Sequence, residues 1–344
     1  MSDVPANPAT PPCAELHLHI EGTLEPDLVF ALAERNGIEL PDRDIAGLRS
    51  RYAFTDLQSF LDLYYENMAV LRTPADFAEM TRAYLTRARA AGVRHAEIMF
   101  DPQAHLARGV PLATSVEGIA SVLRASEAEF GISTGLIAAF LRDRPATEAL
   151  EVLEDLLAMD APIIGIGLDS AEVGNPPSGF TAVYDRARRA GLHLVAHAGE
   201  EGPPSYIADA LDDLGVERID HGIRCLDDPA LVARLAAEQI PLTVCPLSNV
   251  RLRAVPSLVE HPLRRLLEAG VVVTINSDDP AYFGGYVDDN LHAVREVHKL
   301  TDDELAALAA NSFRASFLDG DRRDALLAEV EAWRTSAPPA LGAN

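Results

Sequence analysis

The chain has 344 residues, with 53 acidic and 29 basic side chains and a formal net charge of -24. Most of such a surface repels phosphate backbones and anionic membranes, which excludes nucleic acid and membrane partners and favours neutral or cationic small molecules. Hydrophobic residues make up 48% of the sequence, enough for a large buried core, and no stretch has the length and apolarity of a bilayer span.

The N-terminal stretch from Met1 to Pro12 is small, polar and proline-rich. It lacks the basic and apolar segments of a signal peptide, so a cytoplasmic protein with a mobile tail over 1–12 is expected. Strand-like runs follow at Ala14 to His19, Val93 to Phe100, Ser133 to Phe140, Ile163 to Leu168, Leu192 to His197, Val216 to Asp220, Ile240 to Cys245 and Val271 to Ile275. Between them lie helical patterns rich in Ala, Leu, Glu and Arg, at Ala75 to Ala90, Ala113 to Glu129, Pro145 to Ala158, Phe180 to Ala190, Asp228 to Glu238 and Pro262 to Glu268. Several helix-to-strand junctions carry a glycine, at 92, 131, 191, 215 and 270, where a left-handed helix end is expected. Strand then helix, repeated eight times, predicts an α/β fold: a single (β/α)8 TIM-type barrel over residues 13–335, followed by a mobile tail at 336–344. An open doubly wound sheet is the alternative, but its Gly-x-Gly-x-x-Gly turn after the first strand is absent. Helical segments between Pro26 and Val70 fall outside the repeat and read as an insertion after the first strand. This insertion is placed to cover the barrel mouth with Phe60, Tyr64 and Tyr65, although aromatic residues at helical spacing commonly serve packing alone. Three widely spaced cysteines, Cys13, Cys225 and Cys245, without a Cys-x-x-Cys pair, read as reduced, buried thiols.

Short polar motifs stand at the ends of these runs, where a parallel barrel gathers its chemistry. His17 and His19 are two apart on a strand, so both imidazoles share a face and can share a metal; a single histidine there would usually be structural. His197 ends the fifth run and Asp278 follows the eighth, so three imidazoles and a carboxylate are expected on one ion. Such nitrogen and oxygen donors suit Zn²⁺, with other divalent first-row metals possible. The fourth strand offers no lysine for carbamylation, which favours one metal over a bridged pair. Glu200, past a glycine that lets the chain turn, is the candidate proton donor, although His-x-x-Glu also suits an ordinary acidic helix start. His221 closes the sixth run and completes an acid and base set. Asp279, beside Asp278, reads alone as a solvated turn, but at the last strand end it can bind substrate. His95, His105, His193, His261, His292 and His298 lack such company and are assigned surface or packing roles.

The segments Glu15-Leu16-His17-Leu18-His19, Ala196-His197-Ala198-Gly199-Glu200, Arg218-Ile219-Asp220-His221-Gly222, Leu242 to Asn249 and Asn276-Ser277-Asp278-Asp279-Pro280 resemble, in order, the motif series of the adenosine/adenine deaminase family. That resemblance implies a zinc-dependent (β/α)8 hydrolase with His17, His19, His197 and Asp278 as ligands, Glu200 as proton donor, His221 as base and Asp279 on the purine. Water would replace the amino group at purine C6, converting adenine to hypoxanthine and ammonia. The stretches Gly167 to Pro177 and Asp278 to Tyr286 resemble the adenine branch of the family more than its nucleoside enzymes. Glu21 stands where the nucleoside enzymes typically carry an Asp that meets the ribose, and its longer side chain would fill sugar space. Asp169, Ser170 and Glu172 are expected to meet the far edge of the purine base. The competing readings are the same chemistry on adenosine or an N6-substituted adenine, a catalytically silent purine- or metal-binding barrel, and a two-metal amide or phosphoester hydrolase. Oligomeric state and the choice between purine salvage and nitrogen catabolism stay open.

Overall fold

Eight parallel strands form one sheet in the order of the chain. They are β1 (Cys13–Glu15), β2 (Val93–Phe100), β3 (Ser133–Leu141), β4 (Ile163–Asp169), β5 (His193–Ala198), β6 (Arg218–His221), β7 (Leu242–Val244) and β8 (Val273–Ile275). The computed structural model describes residues 10–336. The expected tails therefore lie largely outside the described residues, but Pro11 and Pro12 are buried, and packing begins earlier than the predicted boundary.

β1 ends well before the expected His19 because beyond Glu15 the chain makes only isolated bridges, Leu18 with Asp278 and His19 with Met99. Those bridges close the barrel. The His19 N–H donates to the Asp278 carbonyl at 3.0 Å and the Asp278 N–H to the His17 carbonyl at 3.1 Å. Below them, the Leu16 N–H donates to Asn276 Oδ1 at 2.9 Å. The contact that joins first strand to last thus also sets His17 and His19 beside Asp278.

The insertion after β1 contains helices α1 (Pro26–Asn36), α2 (Ile45–Ser50) and α3 (Leu57–Asn67), the last opened by Asp56 in a reciprocal cap with Ser59. The expected helix from Ala113 to Glu129 is two, Leu112–Leu123 and Ser126–Phe130. Ser126 is buried and its hydroxyl pairs with Thr134 of β3 at 3.0 Å, tying the second piece to the strand it precedes. All five junction glycines take positive φ, from 64° to 88°, where a side chain would be strained. After β8 come the short helix Pro280–Phe283 and three longer ones, Val287–His298, Asp302–Arg314 and Gly320–Ser336, where the repeat calls for one. Helix Asp302–Arg314 covers the seam between β8 and β1, its Ser312 Oγ accepting from the Ala14 N–H at 2.8 Å.

The end of the barrel opposite these polar motifs is closed by an ion pair. Arg218 and Glu97, both fully buried, meet at 2.7 Å, and the guanidinium lies 4.7 Å from the ring centre of Phe317. Burial alone would raise the Glu97 carboxyl, but Arg218 and His95 overrule it and hold it down at about 2. A depressed carboxyl contributes stability above its unfolded value near 4.5 and loses it as pH falls toward about 2. Glu97→Gln removes the nearest counter-charge of the buried guanidinium, leaving only Asp220 Oδ1 at 4.0 Å, so we expect up to about 3–5 kcal/mol of lost stability near neutral pH. In urea titrations the gap between wild type and variant should narrow below about pH 4.5. A gap independent of pH would contradict this role for the pair.

Candidate active site

Strand ends supply each polar group of the barrel mouth. His17 Nδ1 lies 3.0 Å from Thr243 Oγ1 and 3.2 Å from the Thr243 carbonyl. The Thr243 hydroxyl donates to Asp220 Oδ1 at 2.7 Å, so it accepts from His17, which places the His17 proton on Nδ1 and a lone pair on Nε2. That Nε2 is buried without a hydrogen-bond partner. It stands 3.3 Å from Asp278 Oδ1, while His19 Nε2 stands 3.5 Å from the same oxygen and 3.1 Å from His197 Nε2. A tetrahedral ion with bonds of about 2.0–2.1 Å separates its donor atoms by about 3.3–3.4 Å. Lone pairs packed at these distances repel unless a cation sits among them, so the donor set fits one metal ion.

Carboxylates stand behind the imidazoles, as is usual where histidine binds metal. Asp220 Oδ2 is 3.5 Å from His197 Nδ1, and Asp169 Oδ2 is 3.5 Å from His19 Nδ1. Ser248 Oγ donates to Asp278 Oδ2 at 2.7 Å, leaving Oδ1 to the imidazole nitrogens. Asp278, His221 and Ser170 all take positive φ, at 65°, 63° and 70°. Non-glycine residues avoid that region, and its use at three positions around one mouth marks where backbone strain is tolerated.

Glu200 sits on the tight turn after β5, and a single side chain organises that turn. Glu172 Oε1 accepts from the Gly199 N–H at 2.6 Å, and its Oε2 accepts from the N–H groups of Glu200, Glu201 and Gly202 at 3.0, 2.8 and 2.7 Å. Glu200 Oε2 lies 3.5 Å from His221 Nε2. Burial, then the charges of Asp278 and Glu172, push the Glu200 carboxyl well above the ordinary range, which favours its protonated form. Burial and Asp278 do the same to Asp279. Burial and neighbouring imidazoles keep His197 neutral, the form that binds metal.

The cavity above these candidate metal donors is lined by His19, His197, Glu200, His221, Asp278, Asp279, Asp169 and Ser170, among others. Its outer wall is helix α3, through Leu57, Phe60, Leu61, Tyr64 and Tyr65, with Leu252 opposite. The expected lid residues therefore do face the mouth, and the Tyr65 hydroxyl pairs with Ser170 Oγ at 3.2 Å.

Two expected purine contacts are placed differently. Glu172 is absent from the cavity wall because its carboxylate is engaged under the Gly199–Gly202 turn. Glu21 is buried behind the wall, where its Oε1 accepts from His105 Nε2 at 2.6 Å and from the Asp101 N–H at 3.2 Å. It reaches the cavity through Asp101, which lines the wall and which is not among the expected site residues. The signal was available, since Asp101 directly follows the second strand run. Three histidines assigned to surface or packing prove to be polar supports: His95 pairs with Glu97, His105 holds Glu21, and His261 holds Asn249, which in turn meets His221. The three cysteines are free and buried, as expected.

The sequence model of adenosine deaminase matches residues 12–333. The chain belongs to the adenosine deaminase family. It is 61% identical over 328 residues to an adenine deaminase of Streptomyces coelicolor, covering 95% of this chain and 96% of the relative. An adenine deaminase of Cupriavidus necator is 55% identical over 327 residues, covering 95% and 93% of the two chains. A crystal structure of adenine deaminase from Arthrobacter aurescens is 66% identical and superposes with a TM-score of 0.94, covering 95% of this chain and 100% of that one. An amidohydrolase from Burkholderia ambifaria with bound Zn is 29% identical, with a TM-score of 0.86 and coverage of 94% and 92%. These likenesses agree with the (β/α)8 barrel and with a hydrolytic deaminase. Among the described residues, no helix is long and apolar enough to cross a membrane.

Proposed function

We propose that the chain hydrolyses adenine to hypoxanthine and ammonia, with one Zn²⁺ held by His17, His19, His197 and Asp278. The relatives named adenine deaminase supply the substrate. The observation that carries the reading is the placement of two buried carboxyls, Glu200 and Asp279, on the cavity wall beside the imidazoles and carboxylate that cluster at Asp278. A bound zinc ion lowers the pKa of a water toward about 7, making it nucleophilic near neutral pH.

The side chains divide the remaining work. Glu200, protonated in its dry pocket, donates to purine N1, so negative charge does not accumulate on the ring as the C6–O bond forms. Asp279, also protonated, donates to N7, an atom that can only accept. His221 orients the attacking water. The C6–N bond then breaks as the proton of the added hydroxyl passes to the amino group, which leaves as ammonia while C6=O forms, and a proton from the next water restores Glu200. Asp169 and Ser170 meet the far edge of the base, and Glu172 serves by holding the Glu200 turn. The hydrophobic side chains of α3 cover the face of the purine and exclude bulk water.

Dependence on zinc is tested by removing metal with a chelator and titrating it back. Ammonia release from adenine should vanish and return fully at one equivalent of zinc. Activity that survives complete metal removal, or that needs two equivalents, would contradict the single-ion reading.

A further inference from the structure

We infer that a hydrogen-bond relay from the backbone of Leu263 through His261 and Asn249 locks His221 in the neutral tautomer with its proton on Nε2, so that His221 serves the attacking water as a donor. The inference rests on the proposed hydrolysis for its catalytic meaning, but the tautomer itself follows from the relay alone.

The direction of the relay is set at its far end, by a group that cannot reverse. The Leu263 backbone N–H donates to His261 Nδ1 at 3.2 Å, and a peptide N–H can only donate. His261 Nδ1 therefore carries a lone pair, and the ring proton resides on Nε2. That Nε2 meets Asn249 Oδ1 at 3.2 Å, so the histidine donates and the amide oxygen accepts. With its oxygen fixed on that side, Asn249 presents Nδ2 to His221 Nδ1, again at 3.2 Å. An amide nitrogen only donates, so His221 Nδ1 accepts and the remaining ring proton must sit on Nε2. Histidine tautomers and amide orientations are normally ambiguous, and here the peptide group removes the ambiguity.

Burial seals the arrangement. His261, Asn249 and His221 are 3%, 0% and 1% exposed, so water cannot substitute for a broken link. Burial and nearby His298 lower His261 to about 3, which keeps it neutral, as the relay requires. His221 Nε2 faces Glu200 Oε2 at 3.5 Å and Asp278 Oδ2 at 3.7 Å, the opening where the attacking water belongs. A ring with N–H at Nε2 and a facing N–H at Nδ1 has no nitrogen free to take a proton. The base expected from the family resemblance is thus replaced by a donor that fixes the water's orientation. Asn249 and His261 are positioning residues that act through it.

The test is long-range proton–nitrogen correlation NMR on zinc-loaded protein labelled with ¹⁵N-histidine, with the His221 signals assigned by their loss in His221→Gln. We expect protonated Nε2 and unprotonated Nδ1. Asn249→Asp keeps the shape but offers only acceptors, so it should move the His221 proton to Nδ1. Its kcat for adenine should fall by at least about 10²-fold, toward the roughly 10⁴-fold lost when a catalytic imidazole is held in the wrong tautomer, with KM changed by less than about threefold. His261→Phe frees Asn249 to flip and should give mixed tautomers with a smaller loss, which serves if Asn249→Asp does not fold. A proton on Nδ1 of His221 in the wild type would overturn the inference, as would wild-type kcat in a variant whose tautomer has moved. Protein that shows the Nε2–H tautomer yet releases no ammonia from adenine would contradict the proposed function and leave the relay standing.

Discussion

Glu200→Gln is expected to bind zinc as the wild type does and to lose about 10²-fold or more in kcat for adenine. Gln keeps the length and hydrogen-bonding reach of Glu but has no proton to give N1. The backbone amides that Glu172 holds are unchanged by the substitution, so the turn should keep its place. The loss should therefore appear in kcat far more than in KM, since donation to the ring matters only as the C6–O bond forms. Metal analysis and kinetics on the same preparation check it. A variant with full turnover would remove Glu200 from the role of proton donor.

Asp278→Asn should lower zinc affinity by more than about 10²-fold and remove the activity with it. Removal of a group that merely supports a metal ligand already costs 10–100-fold, and Asp278 supplies both a donor atom and the only negative charge in the proposed set. Asn is the suitable replacement because the backbone here has φ of 65°, which Asn tolerates better than Ala. Competition with a chromophoric chelator measures the affinity. Undiminished occupancy would strike Asp278 from the ligand set. The melting temperature should report the same change, because a metal bound only by the native state stabilises it by mass action.

The alternation of strand and helix was readable because each strand run ends in a polar residue or a turn and each helix carries its own periodicity. Strand ends were less readable. From Leu16 to His19 the apolar and polar residues still alternate, yet the ladder has stopped and single bridges to Asp278 and Met99 take its place. Four helices follow β8 where the repeat calls for one, so counting repeats could not announce the rest.

Within the candidate site, His17, His19, His197 and Asp278 could be grouped because metal donors are a restricted set of residue types and barrel strand ends converge. Asp101 was missed because one Asp after one strand has many ordinary explanations. Glu172 was misjudged for a deeper reason. Its partners are four backbone N–H groups, and a backbone amide leaves no mark in a sequence. His261 hid in the same way, twelve residues from Asn249 and anchored by a peptide group.

The most direct measurement is ammonia release by one zinc-loaded preparation from adenine, adenosine, an N6-substituted adenine and 9-methyladenine. Asp169 on the cavity wall offers a carboxyl suited to a free N–H, which adenosine and 9-methyladenine lack at N9. We predict equal yields of ammonia and hypoxanthine from adenine, with kcat/KM for adenosine and 9-methyladenine lower by at least about 10²-fold. Preference for adenosine, or failure to release ammonia from adenine at all, would contradict the account.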